Sequence, residues 1–321
     1  MIKKKTILNF NVSEVFSERT LISFLKKKLK GISLSLIYKL FRENKVEVNG
    51  KKINYFHYRL SFGEKIKIIE NLGEIKKEKE INIKKKYNLE RIKEQILYED
   101  ANILIFLKES GFSMPELDEM INYYFFIRDN KKYNELLNNF FTFTSVHRLD
   151  MLTKGLIIYP KNQIAKKILY NAIGDKEKVK KEYLAFCENN LSKKRFPSGL
   201  ITGFISKNNE KKRMNFFPAK SSDKPTIKNT KFCSMVVKRE FKNNVYSLFS
   251  IILHTGRKHQ IRSMFSFFKL PIIGDKKYGS QIEKKNKIFL FAYKISFFFL
   301  PFPLNYLNNK TFQFKLKKGF K

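Results

Sequence analysis

Leu21, Phe24, Leu25 and Leu29 recur at helical spacing between Arg19 and Leu29, with Lys26, Lys27 and Lys28 on the other side, and predict an amphipathic helix. Ser33 is placed to cap a second helix carrying Leu34, Ile37, Leu40 and Phe41, whose polar face shows Lys39 and Arg42. The period then drops to two. Lys45 to Ile53 alternates around Asn49-Gly50, a strong hairpin signal that puts Lys51 just past the turn, and Glu64 to Ile69 predicts a closing strand. Residues 71–91 are rich in Lys and Glu with few apolar positions and are expected to be a flexible linker. From about Ile92 short strands dominate: Gln95 to Asn102 ending in a turn, Ile103 to Lys108, Gly155 to Tyr159, Lys181 to Cys187 and Tyr246 to Leu253. Asn162 to Ile173 is the best helix, with Ile164, Ile168, Leu169 and Ala172 assigned to one face. The expected fold class is therefore α+β: a mixed, mainly antiparallel sheet with flanking helices over residues 92–321, preceded by a small module of two helices plus a hairpin over 14–70. Phe112 to Phe143 reads as loops. Ile288 to Leu304 is apolar but interrupted by Lys294, Pro301 and Pro303. It falls short of the roughly 20 residues of a membrane span and is expected to supply core strands.

Composition sharpens this picture. The chain has 321 residues, of which 43% are hydrophobic and 33 are Phe, which excludes a mainly disordered chain. Its two cysteines, Cys187 and Cys233, have neither the spacing of a metal knuckle nor the number of a disulfide scaffold, and predict a reduced, cytoplasmic protein. No apolar run with a small-residue cleavage site follows the basic start. Lys and Arg number 66 against 29 Asp and Glu, for a net charge of +37, which points to a polyanion, nucleic acid ahead of an anionic membrane surface. Only eleven of those 66 are Arg, so a general drift toward Lys accounts for part of the charge.

Against that Lys background, two windows gather the chemistry. His147 to Asp150 and His254 to Arg262 hold three of the four His and three of the eleven Arg. Arg in a Lys-rich chain suggests sites where the planar fork is wanted. The first window runs His147-Arg-Leu-Asp-Met-Leu-Thr-Lys-Gly155. The second runs His254-Thr-Gly-Arg-Lys-His-Gln-Ile-Arg262 and is followed by Gly274-Asp-Lys-Lys-Tyr-Gly279. In these motifs the chain resembles the pseudouridine synthases that modify large-subunit ribosomal RNA and related RNAs. Lys181-Glu-Tyr183 matches their Lys-x-Tyr element, and Tyr98-Glu-Asp with Lys108-Glu-Ser-Gly111 their opening motifs. The first module resembles the S4 RNA-binding domain that many members carry, through Val46-Glu-Val-Asn-Gly50. Four positions depart from the family pattern: Lys154 stands for Ser, Glu109 for Pro, Ser263-Met-Phe for Val-His-Leu, and Leu290-Phe-Ala292 for Leu-His-Ala.

The resemblance implies an RNA isomerase that needs no cofactor and no metal. It implies Asp150 as the essential carboxylate, acting either as nucleophile at the ribose or as base toward the sugar, Arg262 as its counter-charge, and Tyr183 as the aromatic that stacks on the base. His147, Arg148 and Arg257, together with Lys39, Arg42 and Lys51 of the first module, are assigned to RNA binding. Thr153, Gly155, Gly256, His259, Gln260, Asp275 and Tyr278 are assigned to support of the site. Taken singly, Asp150 reads as a turn residue and Tyr183 as core packing; the motifs around them carry the functional assignment. The expected partner is 23S ribosomal RNA or a pre-ribosomal particle, bound by a monomer with no membrane association. Transfer RNA is the alternative substrate, and a non-catalytic assembly factor the alternative class.

Overall fold

The apolar spacing of the first helix fixes which side it buries. In the computed structural model, which describes residues 7–29, 34–69, 87–138, 141–189, 198–210, 212–219, 230–284 and 287–316, α1 (Leu21–Lys28) buries Leu21, Phe24 and Leu25 and exposes Lys26 and Lys28. Helix α2 (Leu34–Arg42) turns Ile37, Leu40 and Phe41 inward and leaves Lys39 and Arg42 in solvent. The helices share a core with Val46, Val48, Ile66 and Ile68 of an antiparallel four-stranded sheet ordered β1-β4-β2-β3. Its strands are β1 (Ile7–Asn11), β2 (Val46–Val48), β3 (Lys51–Lys52) and β4 (Lys65–Ile69). Val48 faces Lys51 across a two-residue loop in which Asn49 (φ 51°) and Gly50 (φ 79°) are both left-handed, as a type I′ turn requires. The Asn49 side chain also accepts a hydrogen bond from the Lys65 amide at 2.8 Å, tying the turn to β4. Strand β1 lies ahead of residue 14, where the module was expected to begin. It is an edge strand whose Leu8 and Phe10 are only half-buried, so its apolar alternation is faint.

The expected Ser33 cap and residues 71–86 of the expected linker lie outside the described residues. Residues 89–91, the end of that segment, are instead helical, within α3 (Leu89–Glu94), which buries Ile92. The chain forms two compact units, residues 1–88 with 131–140, and 89–130 with 141–321.

The second unit is built on a ten-stranded sheet. Its strands are β5 (Ile96–Glu99), β6 (Ile103–Lys108), β7 (Lys154–Pro160), β8 (Val179–Glu188), β9 (Gly199–Asn208), β10 (Arg213–Pro218), β11 (Lys231–Lys242), β12 (Tyr246–Leu253), β13 (Leu290–Phe297) and β14 (Thr311–Gln313). They run in the order β10-β9-β11-β12-β8-β13-β7-β6-β5, with β14 beside β13. All pairs are antiparallel except β13 with β7. That parallel contact is very close: a Cβ on Gly155 would stand 2.5 Å from the Cβ and carbonyl oxygen of Ala292.

Helix α6 (Gln163–Ala172) is capped by the Asn162 side chain and lays Ala165, Leu169 and Ala172 on Ile103, Ile105, Leu156 and Ile158 of the sheet. Ile164, assigned to the same face by spacing, is 62% exposed. Two further helices, α4 (Met114–Arg128) and α5 (Asn130–Asn138), occupy the segment read as loops. Ser113 and Glu116 cap α4 reciprocally, with Pro115 in its first turn. No helix among the described residues is long and apolar enough to cross a membrane, and the apolar run from Ile288 supplies β13.

Candidate active site

Asp150 opens the turn that leads into β7, where the Thr153 amide donates to the Asp150 carbonyl at 3.0 Å. The turn is held from the end of β6. The Lys108 ammonium, fully buried, donates to the carbonyl oxygens of Glu109 (3.0 Å), Met151 (2.9 Å) and Thr153 (2.8 Å). Ser110 Oγ donates to Leu152 O at 2.9 Å, and the Gly111 amide to Met151 O at 2.9 Å. Burial pulls Lys108 down to about 8, opposed by the charges of Asp150 and Glu109. The positions where Lys108 and Lys154 stand are joined by the register, Lys108 facing Gly155. The two departures from the family pattern then meet each other: Lys154 Nζ lies 2.7 Å from Glu109 Oε1.

The counter-charge comes from helix α7 (Gln260–Phe267), 112 residues further on. Arg262 Nη1 donates to Asp150 Oδ2 at 3.1 Å. Its Nε and Nη2 grip Asp275 Oδ2 and Oδ1 at 2.7 and 2.9 Å, a two-pronged pair that fixes the guanidinium plane. Arg262 and Asp275 are both buried, and the guanidinium stacks 5.0 Å from the Tyr278 ring centre. Burial alone would lower the Arg262 pKa; the two carboxylates outweigh it and raise it above the usual value. Asp275 therefore does more than hold its own turn: it aims the cation at Asp150.

His259 begins α7 in a left-handed conformation (φ 52°). Its Nδ1 lies 2.8 Å from the Tyr278 hydroxyl, which accepts the Met214 amide at 2.9 Å. Its Nε2 faces Asp150 Oδ2 at 3.8 Å. Burial pulls the His259 pKa below its ordinary value, with Asp150 opposing, which keeps the ring neutral at neutral pH.

Tyr183 stands on β8 between Ile251 of β12 and Ala292 of β13 and lines the Asp150 pocket with Thr153 and Leu290. Burial, then the nearby Asp150 charge, raises its pKa, so it stays a phenol. Arg148 and Arg257 are exposed at the pocket rim, Arg257 anchored through Nε to the Phe232 carbonyl at 3.0 Å. Gln260 braces the loop before it, accepting from Thr255 Oγ1 (2.7 Å) and the Arg257 amide (3.1 Å) and donating to Ser234 O (3.1 Å). A Cβ on Gly256 would meet nothing within 4 Å, so no packing demand explains a glycine there. The pocket is narrow, with about 60 Å³ of space between Asp150, Tyr183 and the Arg148 and Arg257 rim.

His147 departs from its assignment to RNA. Its Nε2 accepts the Ile158 amide of β7 at 3.1 Å, and its ring is buried enough to hold it down near 3, with Lys181 adding to the effect. The ring is a brace between the loop that carries Asp150 and the sheet. Lys39, Arg42 and Lys51 belong to the first unit and are exposed there. The carbonyl clamp of Lys108 was not assigned from sequence, although Lys108 opens the Lys108-Glu-Ser-Gly111 motif and ends the apolar run Ile103 to Leu107. Among the described residues, no three His, Cys, Asp or Glu side chains converge as a metal site needs.

Residues 102–267 match the family described as RNA pseudouridylate synthase. The chain is 35% identical over 309 residues to an RNA pseudouridine synthase of Mycoplasma capricolum, covering 94% of this chain and 95% of that one. It is 30% identical over 300 residues to ribosomal large subunit pseudouridine synthase C of Buchnera aphidicola subsp. Baizongia pistaciae, covering 90% and 88%. To the protein of that name in Escherichia coli K12 it is 26% identical over 290 residues, covering 86% and 83%. In fold it is similar to human RNA pseudouridylate synthase domain containing 4, with a TM-score of 0.55 and 18% identity over 72% of this chain and 91% of that one. The chain belongs to the RNA pseudouridylate synthase family, isomerases that convert uridine in RNA to pseudouridine.

Proposed function

We propose that this protein isomerises uridines of large-subunit ribosomal RNA, with Asp150 as the essential carboxylate and the unit of residues 1–88 as an S4-type RNA-binding domain. The observation that carries the reading is Asp150 held at 3.1 Å by an arginine that Asp275 fixes at two points, at the mouth of a pocket lined by Tyr183. The relatives named for the ribosomal large subunit cover the chain nearly end to end and support that substrate. Arg42 and Lys51 on the exposed side of the first unit, with Lys39 beside them, suit an RNA backbone. A protein acting on ribosomal RNA in this way works in the cytoplasm, as a monomer.

The reaction breaks the bond between uracil N1 and ribose C1′, turns the base, joins C5 to C1′, and moves the C5 proton so that N1 ends protonated. The overall change is isomeric and consumes no other reactant. Asp150 acts at the sugar, by attack on C1′ or by removing a proton beside it, and Arg262 stabilises the carboxylate in a site that excludes water. Tyr183 offers a ring face to the freed uracil and a hydroxyl near C5 that relays the departing C5 proton. Arg148 and Arg257 at the rim contact the RNA, whose uridine must first leave its helix at a cost of roughly a few kcal/mol. His147 braces the loop from beneath.

Asp150→Asn tests the reading. It is expected to abolish pseudouridine formation in RNA from cells lacking the gene while leaving RNA affinity unchanged; turnover at the wild-type rate would overturn the role of Asp150. Mapping pseudouridines in total RNA with and without the gene tests the substrate. A site lost from transfer RNA alone would overturn the ribosomal reading.

A further inference from the structure

A second cleft, of about 650 Å³, opens between the edge strand β10 and α7, within the range of about 300–1,000 Å³ typical of small-ligand sites. Phe216 forms its buried floor, seated on Gly203, where a Cβ would stand 2.4 Å from the Phe216 ring and 2.2 Å from the Phe217 carbonyl oxygen. Phe267, 46% exposed, stands edge-on to Phe216 at 5.4 Å. Arg213 and Lys269 bring two cations to the same cleft, and neither is in an ion pair among the described residues. The Arg213 Nε is buried with no acceptor, a donor whose desolvation goes uncompensated until something binds it. The wall toward the catalytic pocket is Tyr278, whose hydroxyl meets His259, the residue that faces Asp150.

Aromatic faces beside a pair of cations match a nucleobase and its phosphate, and fit neither a cationic nor a purely apolar ligand. We infer that this cleft binds an unpaired nucleotide of the substrate RNA, a neighbour of the target uridine. Its base lies against Phe216 and Phe267, an acceptor atom meets Arg213 Nε, and the phosphate lies toward Lys269. The inference rests on the RNA-isomerase reading above. It assigns to the cleft the grip on the flanking strand, and to the Tyr278–His259 pair the partition between the two nucleotides.

The test uses the full chain and a short RNA containing the uridine found by mapping. Ser266→Trp fills the cleft from α7 without touching the Asp150 pocket, and Arg213→Gln removes the buried donor. Each is expected to raise KM for RNA about tenfold, the scale of one base stack, with kcat and melting temperature unchanged. In wild type, an abasic residue at one position beside the target raises KM by the same factor, and it adds nothing further in Ser266→Trp. Wild-type KM in both variants, or abasic and variant effects that multiply in full, would overturn the inference. If Ser266→Trp melts early, Arg213→Gln with the abasic series decides alone. A wild-type enzyme that forms no pseudouridine in any RNA would instead overturn the reading beneath.

Discussion

Lys108 carries three ammonium hydrogens and meets three carbonyl oxygens of the Asp150 turn, so its charge state and its geometry are one property. Burial holds its pKa down to about 8, so it is charged below that value and loses the third hydrogen above it. One carbonyl of the clamp is then unpaired, and the turn that presents Asp150 loosens. We expect kcat for pseudouridine formation to fall as pH rises from 7 through 9, and the Lys108→Met variant, already impaired, to lack that alkaline limb; a flat wild-type profile would count against the clamp. The sign for stability is opposite. Between about 8 and the ordinary lysine range the unfolded chain binds the extra proton, so this group alone makes stability rise with pH there. At this scale the site was legible where a motif named a residue and illegible where a role depends on direction. Asp150 and Arg262 are 112 residues apart and nothing in their order shows that Asp275 sets the angle between them. His147 sits in the same motif as Asp150 and points the other way, into the sheet. Glu109 and Lys154 looked like two separate departures and form one pair across the start of β7.

Elements were legible where one face is dry and the other wet. Helices α1, α2 and α6 and the Asn49-Gly50 hairpin have that contrast. Helix α4 does not, since Leu117, Met120, Ile121, Tyr123, Tyr124 and Phe125 bury several sides of it and leave no stripe to read. Its capping box at Ser113 and Glu116 was the available signal. Strands β9 and β10 went unread because half-buried and exposed positions interrupt their apolar runs. The β7–β13 contact offers a test at this scale. Gly155→Ala places a methyl 2.5 Å from Ala292, on backbone as well as side chain, so the strands must part. We expect a loss of roughly 1–3 kcal/mol, the usual cost of overpacking, read as a lowered denaturation midpoint at constant m-value. Activity should fall with it, because the same strand begins at the Asp150 turn.

For the whole molecule the net charge of +37 is the coarsest property and the least specific one. Lys-rich composition made RNA a reasonable partner, but a few residues around Asp150 and Arg262 made isomerisation the reaction. Charge still has a measurable consequence. Replacing Lys39, Arg42 and Lys51 together by Gln should weaken RNA binding at low salt. It should also flatten the plot of log affinity against log salt by roughly 0.7–0.9 for each phosphate no longer neutralised, with kcat at saturating RNA unchanged. An unchanged slope would remove the first unit from the binding surface. The order of the large sheet carries a further consequence. Strand β13 lies between β7 and β8, so within the sheet the strand that leaves Asp150 meets the strand that bears Tyr183 through residues 290–297. A ribosome that has released everything up to Arg262 has made the carboxylate, its cation and the aromatic ring, yet not the segment that sets them side by side. A chain stopped after Arg262 therefore holds all three groups without the strand that aligns them, and is expected to form no pseudouridine.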